Sequence, residues 1–231
     1  MAKKSSLILI SFIFGISSIL FVFFGDSNIV STLSKEDGVI ETLSAIFYMM
    51  GILFSFVAIF KVDRVFLPII WTILCVLFLG EETSWFQRVF DYSVPEIEKL
   101  NAQNEFNLHN LNLFQGGSLL NSPFSLDNLL KSQNLFRIGF FGYFLALPFI
   151  CCIPKCSELM LKVGYKNPDI KFVLVLMMVF LLSLILVFFV SVDISRALAE
   201  TREMLYAFFI MLYIFIYVLP RATVNSILNQ Q

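Results

Sequence analysis

The sequence predicts an all-α polytopic membrane protein, a bundle of about six transmembrane helices, and three observations carry that prediction. Apolar residues make up 58% of the chain and charged residues only 14%, against about 45–50% and about 25% in a soluble domain. Phe alone occurs 28 times. The apolar residues fall in long unbroken blocks, without the periodicity of amphipathic helices or the alternation of barrel strands.

The blocks, in chain order, are Leu7–Phe24, Glu41–Phe60, Val65–Gly80, Arg137–Ile153, Phe172–Val192 and Met204–Leu219. Each approaches the roughly 20 residues that cross a bilayer as a helix, and helices are expected because hydrocarbon offers the backbone no other hydrogen-bond partner. Breakers such as Gly25-Asp26-Ser27 and Pro154-Lys155 separate them. The first block is longer than the apolar core of a secretory signal, about 7–15 residues, and no small-x-small cleavage site follows, so it reads as an uncleaved span. No repeat or Gly/Ser linker divides the chain, which reads as one integral membrane domain. The net charge of −1 gives nucleic acid no attraction; membrane lipids are the expected partners, with a homo-oligomer or a membrane-protein partner left open. Cys151, Cys152 and Cys156 lack zinc-site spacing, have no nearby His, and are expected to stay reduced.

Orientation follows from basic residues in short loops. An arrangement with both termini in the cytoplasm of a bacterial inner (plasma) membrane places Lys3, Lys4, Lys61, Arg64, Lys155, Lys162, Lys166, Lys171 and Arg221 inside. Of the acidic residues, only Asp63, Glu158 and Asp169 then fall inside, so the acidic chemistry gathers at the outer end.

Two blocks are short. Val65–Gly80 has 16 residues, about 24 Å of helix against about 30 Å of hydrocarbon, and Glu81 and Glu82 follow at once. No breaker interrupts Thr83 to Arg88, so the helix is expected to continue with Glu81, Trp85 and Arg88 on one face. Met204–Leu219 is equally short, with Glu200, Arg202 and Glu203 before it at the same depth. Asp37, Glu41, Ser44 and Tyr48 form a stripe on the second block, and Tyr206, Tyr213 and Tyr217 continue the face of Arg196, Glu200 and Glu203 on the sixth. A carboxylate in hydrocarbon costs roughly 2.5–3.5 kcal/mol unless compensated. Several at one level therefore predict a shared polar site just beneath the outer headgroups.

The connection of about 45 residues between the third and fourth blocks is long enough to be a site element. It is expected to be partly helical. Ser93 reads as an N-cap, with Pro95 in the first turn and Glu96 closing a capping box; a second helix start falls at Ser125–Asp127, and Gln115–Ser118 reads as a turn. Glu105 lies four residues before His109, the only histidine, a spacing that suits a metal pair or an oriented general base.

The blocks Gly80-Glu81-Glu82-Thr83-Ser84-Trp85-Phe86-Gln87-Arg88 and Asn101-x-Gln103-x-Glu105-x-Asn107-Leu108-His109-Asn110, with Glu36-Asp37-Gly38 and Glu41, resemble a family of uncharacterised bacterial inner-membrane proteins. That family carries Gly-Glu-Glu-Ile-Ser-Trp-Gly-Gln-Arg, from which this chain departs at Thr83 and Phe86. The resemblance covers about the middle third of the chain and implies that these blocks act together. The layout is also loosely similar to alkaline-ceramidase-like membrane hydrolases, which use three zinc-binding histidines where this chain has one.

Three readings follow. The first is a membrane-embedded hydrolase or transferase acting on a lipid-type substrate. In it Glu81, Glu82, His109 and Glu203 are the catalytic candidates, Arg88, Trp85, Glu41, Glu200 and Asn110 bind substrate, and a divalent metal on Glu82, Glu105 and His109 is one option. The second is a non-catalytic sensor, assembly or partner-binding subunit. The third is a proton-coupled transporter, which predicts polar residues continuing through the bundle.

Overall fold

The computed structural model describes residues 2–35, 38–101, 106–107, 111 and 131–220; the side chains of residues 2, 3 and 88 are outside that description. The architecture is all-helical. The helices are α1 (Ala2–Phe24), α2 (Ser27–Leu33), α3 (Val39–Ile59), α4 (Phe66–Glu82), α5 (Gln87–Phe90), α6 (Pro95–Glu98), α7 (Ser132–Phe141), α8 (Leu147–Ile150), α9 (Pro154–Lys162), α10 (Ile170–Leu186) and α11 (Val192–Tyr213). Among the described residues the β contribution is a single bridge between Asn101 and Leu111.

Among the described residues, four helices are long and apolar enough to cross a membrane: Lys4–Phe24, Val39–Ile59, Ile170–Phe189 and Val192–Val218. The other two predicted blocks are helical as well. The third is α4, with 17 residues. The fourth runs from α7 through a π-helical turn, Gly142–Ala146, into α8. That turn has a cause in the sequence: Pro148 carries no N–H and its ring would strike the carbonyl four residues back, so the preceding turn widens.

Two predicted boundaries move. The fifth block ends at Phe189, and Val192 opens the next helix. The sixth is not short, because its helix starts at Val192 and continues through a π turn to Val218, carrying Glu200 and Glu203 in its interior.

This last helix is the least apolar of the four and yet the most enclosed. In it 72% of the most apolar stretch is buried, against 28% in α1 and in α3. It occupies the bundle centre, touching α1, α2, α3 and α10. Rings join the layers: Phe14 of α1 lies 4.6 Å from Phe208, and Phe47 of α3 lies 5.2 Å from it. Phe140 of α7 and Phe180 of α10 each lie 4.6 Å from Tyr206. Against α4, α3 presents small residues, so the backbones approach closely. A Cβ at Gly51 would lie 2.9 Å from Cys75 Sγ, and Thr72 Oγ1 donates to Ser55 Oγ at 2.9 Å. Cys75, Cys151, Cys152 and Cys156 are all free thiols.

The two ends of the bundle differ in charge. At one end Lys4 pairs with Asp169 at 2.9 Å and stands 4.0 Å over the Tyr217 ring. Buried Tyr165 sits beside this end, and burial holds its phenol well above the ordinary tyrosine range. The other end carries Glu41, Glu81, Glu82, Glu200 and Glu203.

Candidate functional site at the acidic end

Three helices bring their carboxylates to one place. Glu41 opens α3, Glu81 and Glu82 close α4, and Glu200 and Glu203 project from the enclosed α11. Glu82 is at the middle: the charges of Glu203, Glu41, Glu200 and Glu81 all bear on it. Beneath it lies Tyr48, buried on α3, whose ring is 5.4 Å from Phe78 and whose hydroxyl feels Glu82 and Glu203. The predicted stripe Glu41, Ser44, Tyr48 is therefore an inward face, with Ser44 and Tyr48 both buried.

The chain does not continue as a helix beyond α4. Thr83 Oγ1 bonds back to the Leu79 carbonyl, and Ser84, Trp85 and Phe86 then take φ of 45°, 53° and 62°. Three consecutive left-handed residues with side chains are a strained turn, of order 1–3 kcal/mol each. The strain places the Trp85 ring back over Gly80, where a Cβ would come within 2.7 Å of it. Trp85 Nε1 donates to Glu81 Oε1 at 3.0 Å. Glu81 and Trp85 thus meet as the helical spacing predicted, though through a reversal of the chain. Arg88 falls in α5, beyond the turn.

Polar contacts from the following segment hold this turn. Tyr92 Oη donates to the Trp85 carbonyl at 2.9 Å, and Asn107 Nδ2 donates to Ser84 Oγ at 3.2 Å. Asn101 Nδ2 in turn donates to the Asn107 side chain at 2.8 Å. Gln87 donates to Glu98 and accepts from the Phe106 N–H, both at 2.6 Å. The predicted capping box at α6 forms with other partners. Val94 is the N-cap, and Glu98, not Glu96, receives the Ser93 hydroxyl and the Val94 N–H at 2.9 and 3.0 Å.

Two arginines also belong to this end: Arg202, which the sequence already places at the depth of Glu200 and Glu203, and Arg137, which it does not single out. Arg202, on α11, donates to Ser183 Oγ at 3.4 Å and lies near Glu203 and Arg137. Arg137, on α7, lies near the Tyr206 hydroxyl. They are 65 positions apart (202 − 137). The available signal was a lone arginine at the start of an apolar block, at the level of the glutamates. Arg196 is not part of the cluster: it is exposed and 3.9 Å from Asp193. Glu105, His109, Asn110 and Asp37 lie outside the described residues, as do the predicted turn at Gln115 and helix start at Ser125. Among the described residues no group of three or more His, Cys, Asp or Glu is arranged to hold a metal ion.

Gly80→Ala is expected to push Trp85 off α4. In a Trp71→Phe background, which leaves Trp85 as the only indole, its fluorescence should shift to the red. An unshifted spectrum would mean that the ring does not rest on Gly80.

Comparison with protein families, curated proteins and solved structures finds no match for this chain. Its chemistry has to be read from its own residues.

Proposed function

We propose that this chain is a membrane-embedded hydrolase or transferase whose site is the carboxylate group around Glu82, acting on a lipid-type substrate that enters at the acidic end. The observation that carries this reading is the convergence of glutamates from α3, α4 and α11 on Glu82, beside Tyr48 and below a strained turn. Convergent titratable groups at one level of a bundle can share a proton and pass it to a reacting group. Glu82 and Glu203 are the acid and base, with His109 as a further base. Glu41, Glu200, Trp85 and Asn110 contact the headgroup, and Arg88 clamps an anion.

In this reading α4 and the α7–α8 segment join the four long helices as spans, giving six, with both termini on the cytoplasmic side of a bacterial inner membrane. The test is the lipid composition of cells carrying the wild type, Glu82→Gln or His109→Ala. A wild-type profile in both variants overturns the reading.

A second reading, a non-catalytic module in which the cluster is an interhelical clamp, draws on the Trp85–Glu81 hydrogen bond and on Arg202 beside Glu203. It predicts that Glu81→Arg combined with Arg88→Glu restores what either single change removes. Swapped charges would not restore acid–base chemistry.

A further inference from the structure

At the basic end, between the start of α1, the C-terminal end of α3 and the π turn after α11, the surface opens into a cavity of about 710 Å³. Its wall is of two kinds. Lys4 of α1 and Lys61 of the turn after α3 are its two basic residues, and Phe60, Phe215, Ile216 and Leu219 supply an apolar face. Among the described residues, no acidic side chain lines it. Asp169 touches the Lys4 ammonium from outside the cavity, and the Tyr217 ring lies beneath it. These two contacts set the position of Lys4, and an ammonium with three donors can still present one to a ligand. Lys61 is exposed, as is Phe60 at 75%.

We propose that this cavity binds an anionic phospholipid, with the phosphate between Lys4 and Lys61 and an acyl chain along Phe60, Phe215 and Leu219. Position and charge commit it to that occupant. It lies at the ends of helices long and apolar enough to cross a bilayer, where headgroup and acyl chain meet. Two cations over an apolar groove match the two halves of such a lipid, and basic pockets between spans are a recurrent form of lipid recognition. Lysines that merely snorkel would extend separately into the headgroups; these two share one concavity. The proposal is independent of the chemistry at the acidic end.

The experiment uses the full chain in nanodiscs of equimolar phosphatidylglycerol and phosphatidylcholine, transferred to detergent and analysed by native mass spectrometry. The wild type should retain phosphatidylglycerol in excess. Lys61→Ala should lower that retention roughly fivefold, and Lys4→Ala with Lys61→Ala should abolish the preference. Lys155→Ala, an exposed cation outside the cavity, should change nothing. Soluble glycerol 3-phosphate, which lacks acyl chains, should not compete. Equal retention of the two lipids, an equal loss in Lys155→Ala, or competition by glycerol 3-phosphate would each overturn the assignment. Unchanged thermal unfolding of Lys61→Ala shows that the variant is folded.

Discussion

Under the proposed lipid chemistry, Glu82→Gln is expected to abolish activity while leaving the fold intact. The substitution keeps the size of the side chain and removes its titratable proton. Glu82 faces Glu41, Glu81, Glu200 and Glu203, and an amide of the same shape brings no charge among them, so the unfolding temperature in detergent should not fall. A positioned acid or base contributes about 10²–10⁴-fold to a rate. Lipid turnover should therefore fall by at least about 100-fold, and the lipid profile of Glu82→Gln cells should match that of cells lacking the protein. The checks are mass spectrometry of total lipids and a thermal melt of the purified variant. A melt lowered by several degrees with lipids unchanged would instead make Glu82 a clamp between helices.

Tyr213→Ala should produce the largest loss of stability in the molecule. Tyr213 is fully buried on the enclosed helix, with the rings of Tyr143, Phe144 and Tyr217 at 5.2–5.5 Å. Its hydroxyl donates to the Lys166 carbonyl at 2.7 Å and lies 2.9 Å from the Tyr143 hydroxyl, which accepts from Trp71 Nε1 at 3.4 Å. The alanine opens a cavity among rings that cannot collapse onto it, a cost of about 3–5 kcal/mol. Tyr213→Phe keeps the ring and strands the Lys166 carbonyl and one phenol, a cost of about 1–3 kcal/mol. Reversible unfolding in mixed micelles should rank wild type above Tyr213→Phe above Tyr213→Ala. Equal loss in both variants would place the whole effect in the hydroxyl.

This tyrosine relay also bears on how far polar character extends below the acidic end. From the sequence, Tyr213 and Tyr217 were isolated polar points on one helix face. The fold joins Tyr213 to Trp71, Tyr143 and Lys166, and joins Tyr217 to the Asp169 N–H at 3.0 Å. Hydrogen bonds that span 47 to 72 positions cannot be read from spacing along one helix. The glutamates were easier to place, because a charge at the edge of an apolar block already states its depth. Arg137 and Arg202 show the limit of that signal: each is visible alone, and their shared neighbour, Tyr206, is not.

The turn after Gly80 shows a different limit. Thr83 to Arg88 contains no glycine or proline, and local propensity favours continued helix. A left-handed run at Ser84, Trp85 and Phe86 is locally unfavourable and persists because Gly80, Glu81, Tyr92 and Asn107 hold it. The Asn107 contact comes from 23 positions away, and the nearer ones form only once the chain has already turned back.

By itself the sequence determined the all-helical membrane class, the approximate blocks and the gathering of acids at one end, because insertion into hydrocarbon is governed residue by residue by transfer free energy. That the least apolar long helix lies at the centre, and that Glu82 is where the carboxylates of three helices meet, emerged only from packing. Those outcomes rest on contacts between distant segments, which depend on shape and close approach and not on the hydropathy of either segment alone.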